Sequence, residues 1–280
     1  MNSAHHRIRY RSSGSRWRSP SCFVIVALFS SVIFSSLSIS NQSFWIDEAV
    51  VGLLVRQPLL LEVFTGMADT KGAEMQIPFY IVYEWSWAQL FGTSELALRA
   101  ANIPWIIVIF CSPLVFFRAY PLYAWVCLPV LALNPNLWST ADEAKAYSML
   151  LAGSGLLFSC LIRQAADRKA FWNMPIWWQC LFALSLILLS GTHLLGVPWM
   201  ASGLLAAFIL SPVQKAQNIR GPLLIAGGTV AILTVLGTYY LWTLLQGAGP
   251  TPAGSGVLLN IAFSSYELMG FLGVGPDKVT

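Results

Sequence analysis

Residues 222–244, PLLIAGGTVAILTVLGTYYLWTL, decide the fold class of this chain. This run of 23 residues contains no charged side chain, and a helix needs about 20 apolar residues to cross a bilayer. Other apolar runs cover 21–40, 97–117, 122–138, 146–162, 176–193 and 195–211. We therefore predict an all-α polytopic membrane protein with about seven transmembrane helices.

The composition of the whole chain points to the same class. Of its 280 residues, 56% are hydrophobic and 10% are charged, whereas an ordinary soluble domain has roughly 25% charged residues. The five cysteines lie inside apolar runs, without the spacing of a disulfide framework or a zinc site. The composition excludes a soluble globular protein, and we expect membrane lipids, and not nucleic acid, as partners.

The basic residues predict which side of the membrane each loop occupies. Five arginines precede the first apolar run, which makes residues 1–20 a basic cytoplasmic tail by the positive-inside rule. The short segment 77–92 decides the rest. If it crossed the membrane, Arg118 and most later basic residues would face outward, so we predict that it is interfacial or re-entrant. The predicted transmembrane domain is 21–245, with an outer loop 41–95 that carries interfacial helices.

This topology gathers the acidic residues on the outer side, with Asp167 as the exception. Asp47 and Glu48 begin a predicted amphipathic helix, where carboxylates are favoured by the helix dipole. Asp142 and Glu143 form a second pair in a later outer turn. Two interpretations are open: both pairs stabilise helix starts, with Thr140 and Glu143 as a capping box, or they converge on one site.

His193 is the one histidine outside the N-terminal tail, and it falls at the outer end of an apolar run. It is a candidate for a polar contact to a substrate or for a metal ligand. A weak metal set consists of Glu48, Glu74 and His193, so a divalent metal is possible but not required. We find no nucleotide-binding glycine motif and no zinc protease motif.

The order of the polar motifs resembles the GT-C superfamily of membrane glycosyltransferases, of the family 39 type. The similarity is to protein O-mannosyltransferases and aminoarabinose lipid A transferases. The segments that carry it are FWIDEA (44–49), QIPFYIVYEWSWAQLFGTSELALRAAN (76–102), STADEAKAYSML (139–150), THLLG (192–196) and SSYELMGFLGVGP (264–276).

The resemblance implies a specific reaction. Such enzymes move a sugar from a polyprenyl-phosphate carrier, with inversion, to a lipid, glycan or protein acceptor on the periplasmic or lumenal face. It implies that Asp47 is the general base and that Glu48 supports it. The residues implied or proposed to bind the substrate and its phosphate are Glu143, Lys145, Tyr147, Arg99, His193, Arg56 and Lys71.

The chain also departs from the family pattern. Lys145 stands where the family has arginine, and Gln76 and Ile77 stand where members have histidine and proline. Members continue with further helices, so we expect 246–280 to be a truncated outer loop. We place the protein in a bacterial inner membrane with its active face outside. The competing hypotheses are a polytopic transporter or flippase, and an inactive truncated membrane protein.

Overall fold

A computed structural model describes residues 19–44, 46–213 and 220–245 of the chain, without the side chains of Ile46, Asp47, Ala73 and Arg220. The described residues are 80% helical and contain no strand. The prediction of an all-α fold is confirmed for this part of the chain. The predicted tail and the predicted final loop 246–280 lie outside it, apart from Ser19 and Pro20.

The described residues form twelve α-helices and three short 3-10 helices. The α-helices are α1 Pro20–Ser38, α2 Ile46–Leu54, α3 Leu60–Thr70, α4 Pro78–Phe91, α5 Glu95–Ala100, α6 Ile103–Cys111, α7 Pro121–Ala132, α8 Pro135–Ala141, α9 Tyr147–Asp167, α10 Ile176–Thr192, α11 Gly196–Ile209 and α12 Arg220–Leu245. The 3-10 helices are Ala73–Gln76, Ser112–Val115 and Phe171–Asn173.

Four helical segments are long and apolar enough to span a membrane. They are Pro20–Ser38, Glu95–Val115, Tyr147–Asp167 and Gly221–Leu245. The other predicted spans correspond to α7, α10 and α11, which have 12, 17 and 14 residues. At 1.5 Å per residue, these three helices are shorter than a bilayer core of about 30 Å. The described residues are therefore helical with four candidate spans, and the count of seven is not confirmed.

The predicted span 122–138 is not one helix. It divides into α7 and α8 at Asn134, whose side-chain oxygen accepts hydrogen bonds from the N–H groups of Asn136 and Leu137. Proline explains the break. Pro135 cannot donate a helical hydrogen bond, and its ring disfavours a helical conformation at the residue before it.

The capping box predicted from Thr140 and Glu143 is wrong. Thr140 lies inside α8, and its hydroxyl donates to the carbonyl of Asn136 at 2.8 Å. The next helix begins only at Tyr147, and Ala146 precedes it without a side-chain cap. The Thr140 hydroxyl therefore bonds within α8 and does not cap α9. Residues 142–146 form a turn between the two helices.

The predicted outer loop 41–95 is called the first loop below. Helices α2, α3 and α4 form where the sequence predicts helices in it. Pro78 begins α4 with the backbone angle that a first turn requires, and Gly92, with φ of 90°, ends it in a conformation that disfavours other residues. α4 is not among the four candidate spans. Its position at a membrane interface stays a prediction.

Helix α9 lies at the centre of the bundle and packs against α6, α10 and α11. The indole N–H of Trp178 in α10 donates to the carbonyl of Cys160 in α9 at 2.9 Å, in a fully buried position. One apolar cluster joins α1 to α6, α7 and α8. Another apolar cluster lies beneath the first loop and includes residues of α2 to α5 and α9.

The ends of α1 and α10 and the start of α9 lie at one end of the bundle, which we call the acidic end. Ser40 after α1 contacts Asp142 before α9, and the N–H of Leu194 after α10 donates to the carbonyl of Gln76. The first loop therefore covers this end. Which side of a membrane it faces stays a prediction.

Candidate functional site at the acidic end

A buried ion pair between Arg99 and Glu48 organises the acidic end. Two guanidinium nitrogens of Arg99 donate to the two carboxylate oxygens of Glu48, at 3.0 and 3.3 Å. The side chains are 1% and 0% exposed. Such a bidentate pair has fixed geometry as well as charge complementarity. It fixes α5, which carries Arg99, to α2, which carries Glu48.

The same two side chains also hold the backbone around them. Arg99 donates to the carbonyls of Gln42 and Ser40, at 2.7 and 3.2 Å. Glu48 accepts a hydrogen bond from the backbone N–H of Ala144 at 2.7 Å. The pair thus connects the segment after α1, the first loop and the turn 142–146.

Asp142 and Asn102 complete this arrangement. Asp142 accepts the hydroxyl hydrogen of Ser40 at 2.7 Å and lies 4.0 Å from Arg99. The amide of Asn102, at the start of α6, donates to the carbonyls of Ala141 and Glu143, at 3.1 and 2.7 Å. We call Ser40, Glu48, Arg99, Asn102 and Asp142 the Arg99 network.

The network brings together the two acid pairs that the sequence singled out, through Glu48 and Asp142. It also gives Arg99 a different environment from the one that the resemblance implies. A phosphate-binding arginine needs donors that face the ligand, whereas the described donors of Arg99 point to Glu48 and to backbone carbonyls. Ser40 and Asn102 were not predicted as members of the site. No motif marks Ser40, and Asn102 ends the quoted segment 76–102 without a role implied for it.

Asp47, the candidate base, lies outside the residues whose side chains are described. Its backbone belongs to the first turn of α2, directly before Glu48. Since Glu48 is held on both oxygens, the backbone of Asp47 is fixed relative to the turn 142–146.

Glu143, Lys145 and Tyr147 form a second group next to the network. The Lys145 ammonium lies 3.8 Å from the Glu143 carboxylate and 5.7 Å from the centre of the Tyr147 ring. Burial raises the pKa of Glu143, and Lys145 acts in the opposite direction. Lys145 is 21% exposed, so this cation remains accessible to a ligand.

Arg56 and Lys71 flank α3 and are both exposed. Lys71 ends α3 in the left-handed conformation, with φ of 51°. Among the described contacts, none joins either residue to the Arg99 network. Their predicted role in phosphate binding stays a prediction.

His193 follows α10 in extended conformation, and its Nδ1 accepts the N–H of Leu195 at 3.0 Å. A neutral ring with Nδ1 as acceptor carries its proton on Nε2, which makes Nε2 a donor. Burial lowers the pKa of His193, which favours this neutral form. The neighbouring bond from Leu194 to Gln76 places the histidine beside the 3-10 helix that contains Glu74.

The weak metal set Glu48, Glu74 and His193 does not form a cluster in the part of the chain that the structure describes. No group of three His, Cys, Asp or Glu side chains there could hold a metal ion. The oxygens of Glu48 are engaged by Arg99 and Ala144.

An apolar cavity of about 560 Å³ lies between α6, α8, α9 and α11. Leu151 and Phe158 of α9 line it with Trp199 of α11, and Asn134 and Asn136 lie in its wall. Two of the candidate spans, Glu95–Val115 and Tyr147–Asp167, border it.

No protein-family model, curated protein or solved structure matches this chain. The likeness to membrane glycosyltransferases therefore rests on the motifs of the chain itself.

The loss of the Asn102 amide should destabilise the acidic end. In Asn102→Ala, two carbonyls of the turn 141–143 lose their donor, and we expect the free energy of unfolding to fall by about 1 to 3 kcal/mol. Thermal unfolding in detergent micelles measures this. The exposed Ser43→Ala should change stability by less than about 0.5 kcal/mol. Equal effects of the two substitutions would contradict the assigned hydrogen bonds.

Proposed function

We propose that this protein is a membrane glycosyltransferase that moves a sugar from a polyprenyl-phosphate carrier to an acceptor at the acidic end. The observation that supports the proposal is the Arg99 network. It joins FWIDEA, which carries Asp47, to the turn 142–146, which contains Glu143 and Lys145 and is followed by Tyr147. The motifs that define the resemblance thus meet in space although they are about 95 residues apart.

The chemistry assigns a role to each group. Asp47 takes the proton from the acceptor hydroxyl or amine as that atom bonds to the anomeric carbon, which is general base catalysis. The bond between the anomeric carbon and the carrier phosphate breaks, and its electron pair leaves with the phosphate. Attack from the opposite side inverts the anomeric configuration.

Lys145 is the cation best suited to the departing phosphate. Negative charge grows on the phosphate as the bond breaks, and a preorganised cation stabilises that charge most strongly in a dry site. Lys145 is partly exposed, while Arg99 is buried against Glu48. The Nε2–H of His193 is a further donor for a phosphate or sugar oxygen, and the apolar cavity offers room for part of an isoprenoid chain.

Replacing Asp47 by Asn tests the proposal. Purified protein in lipid vesicles would be given radiolabelled mannose or aminoarabinose on a polyprenyl-phosphate carrier, with membrane lipids as acceptors. We expect Asp47→Asn to transfer sugar about 100-fold more slowly than the wild type, because a general base contributes at least that factor.

Glu62→Gln is the matched control, since Glu62 is an exposed acid of the same loop. It should transfer at the wild-type rate. Asp47→Asn with unchanged turnover would remove Asp47 from the role of base. If the wild type released no sugar from either donor, the proposed reaction itself would be refuted for these substrates.

A proton-coupled transporter is the second candidate, and one observation favours it. Glu84 of α4 is a fully buried carboxyl, and buried acids in membrane proteins commonly mark ion or proton pathways. The two functions differ in an experiment on vesicles. A transporter would move solute in response to a pH gradient and lose that flux in Glu84→Gln, without any need for Asp47.

A further inference from the structure

Glu84 lies inside the packing of α4 as an uncompensated carboxyl group. It is 0% exposed, and neither of its oxygens makes a hydrogen bond with any described residue. The hydroxyl of Tyr80, one helical turn earlier, is also buried and approaches the carboxyl without reaching hydrogen-bond geometry. A lone carboxylate in such a place is far more costly than a neutral carboxylic acid.

No cation contacts the Glu84 carboxyl group in the part of the chain that the structure describes. Ile81 and Ala88 of α4 itself belong to the apolar cluster beneath the first loop, together with Leu188 of α10. Helix α4 packs against α5, α10 and the 3-10 helix Ala73–Gln76. The other ionisable groups on these elements and next to them are Tyr80, Tyr83, Glu74, Glu95, Arg99, Cys180 and His193, and Glu48 of α2 lies near Tyr80.

Of these groups, Arg99 is the one permanent cation, and it is bound to Glu48. Burial raises the pKa of Glu84 from its ordinary value of 4.5 to about 8, and Tyr80 acts in the opposite direction. Burial and the lack of a contacting cation among the described residues thus both favour the uncharged form of Glu84.

Helix α4, the last helix of the first loop, contacts both the earlier part of that loop and the helix bundle. The indole of Trp85 donates to the carbonyl of Gln57 at 2.9 Å, and the hydroxyl of Tyr83 donates to the carbonyl of Ala101 at 2.7 Å. At the start of α4, the ring of Phe79 packs directly on Gly191 of α10. Displacement of α4 would therefore loosen the loop on one side and the α10 contact on the other.

We infer that Glu84 is a proton-controlled latch, which keeps α4 and the first loop seated on the bundle while its carboxyl is protonated and releases them when it ionises. Ionisation would place a negative charge in an apolar contact, beside Tyr80. The charge is accommodated only if α4 moves toward water. This inference does not depend on the glycosyltransferase proposal.

The pH range of the latch follows from the sign of the shift. The pKa of Glu84 is higher in the folded protein than in the unfolded chain, so folding is most favourable below pH 4.5. Stability falls as the pH rises toward 8, and above that value the folded protein also carries the charge. Release of α4 is therefore expected to increase up to about pH 8 and to stay at that level above it.

Trypsin can detect the release, because the exposed Arg56 and Lys71 lie in the first loop. Wild type, Glu84→Gln and the exposed control Glu62→Gln would be digested in micelles at pH 7 and at pH 9. We expect the cleavage rate of wild type and of Glu62→Gln at these sites, each divided by the rate of Glu84→Gln, to rise about tenfold from pH 7 to pH 9. The reason is that the released carboxyl ionises at its ordinary pKa while the seated one ionises only near pH 8, whereas Glu84→Gln cannot ionise.

Comparison at one pH cancels the pH dependence of the protease. A ratio of wild type to Glu84→Gln that is the same at pH 7 and at pH 9 would overturn the inference. Tyr80→Phe provides a second variant. It removes the group that favours the charged carboxylate, so release should begin at a higher pH than in the wild type, and an unchanged or lower onset would contradict the proposed contact.

A measurement on the wild type alone covers the case in which Glu84→Gln does not fold. The infrared carbonyl band of a protonated carboxylic acid should be present at pH 7 and disappear by pH 9.5. The absence of such a band at pH 7 would show that Glu84 is already ionised and that no latch exists.

Discussion

Replacing Arg99 by Ala is expected to lower the free energy of unfolding by about 3 to 5 kcal/mol. Removal of one partner from a buried ion pair leaves the other charge without compensation, which is the source of this large cost. Here the remaining charge is Glu48, 0% exposed and unable to reach solvent. The carbonyls of Ser40 and Gln42 also lose their donor. Denaturant or thermal unfolding in detergent micelles measures the change.

Two further variants make this prediction specific to the pair. Arg56→Ala removes an exposed arginine of the same loop and should change stability by no more than about 0.5 kcal/mol. Combining Arg99→Met with Glu48→Leu removes both charges, and this double variant should recover most of the loss, as apolar replacement of a buried pair commonly does. A double variant as unstable as the sum of its single changes would show that the two residues do not interact.

Replacing Gly196 by Ala should destabilise the protein by about 3 kcal/mol or more. A Cβ atom at this position would overlap the backbone carbonyl of Leu189 in α10. A backbone atom in a packed helix cannot turn aside as a side chain can, so the strain exceeds that of ordinary overpacking, which costs about 1 to 3 kcal/mol. The turn 193–196 would have to open, and His193 with it.

The matched control for this change is Gly228→Ala in α12, where a Cβ atom meets no other atom within 4 Å. Alanine is favoured over glycine in a helix by up to about 1 kcal/mol, so this variant should be neutral or slightly more stable. The two substitutions add the same methyl group. If Gly196→Ala unfolded at the same temperature as Gly228→Ala, the close approach of α10 and α11 would be refuted.

The sequence predicted the helical class and the position of most helices correctly, because apolar runs and polar breaks are local signals. It predicted helices in the first loop, which the structure has as α2, α3 and α4. The prediction of one helix over 122–138 was wrong, because the apolar pattern was given more weight than the helix-breaking effect of Pro135. The predicted cap at Thr140 was wrong because Thr140 lies within the last turn of α8.

The candidate site was predictable only in part. Glu48 and Asp142 were selected from the sequence as members of two acid pairs, and topology suggested one face for both. The partners that join them were not predictable in this role. Arg99 was assigned to a ligand, and Asn102 was given no role, because hydrogen bonds between residues about 40 to 100 positions apart leave no trace in local pattern.

Glu84 shows the same limit most clearly. In the sequence it is one more acid in a short amphipathic segment, and its charge counted toward the acidic outer side. The folded chain surrounds it with α4, α10 and the core beneath the first loop, and this burial raises its pKa well above the ordinary value of a carboxyl group.

The sequence by itself determined the helical class of this protein and the positions of most of its helices, since hydrophobicity and helix breakers act over a few turns of chain. The tertiary structure decided which charges are compensated. Arg99 and Glu48 neutralise each other, Lys145 remains accessible, and Glu84 has no counterion among the described residues. Charge state depends on distance and desolvation in three dimensions, and these quantities exist only once the helices have packed.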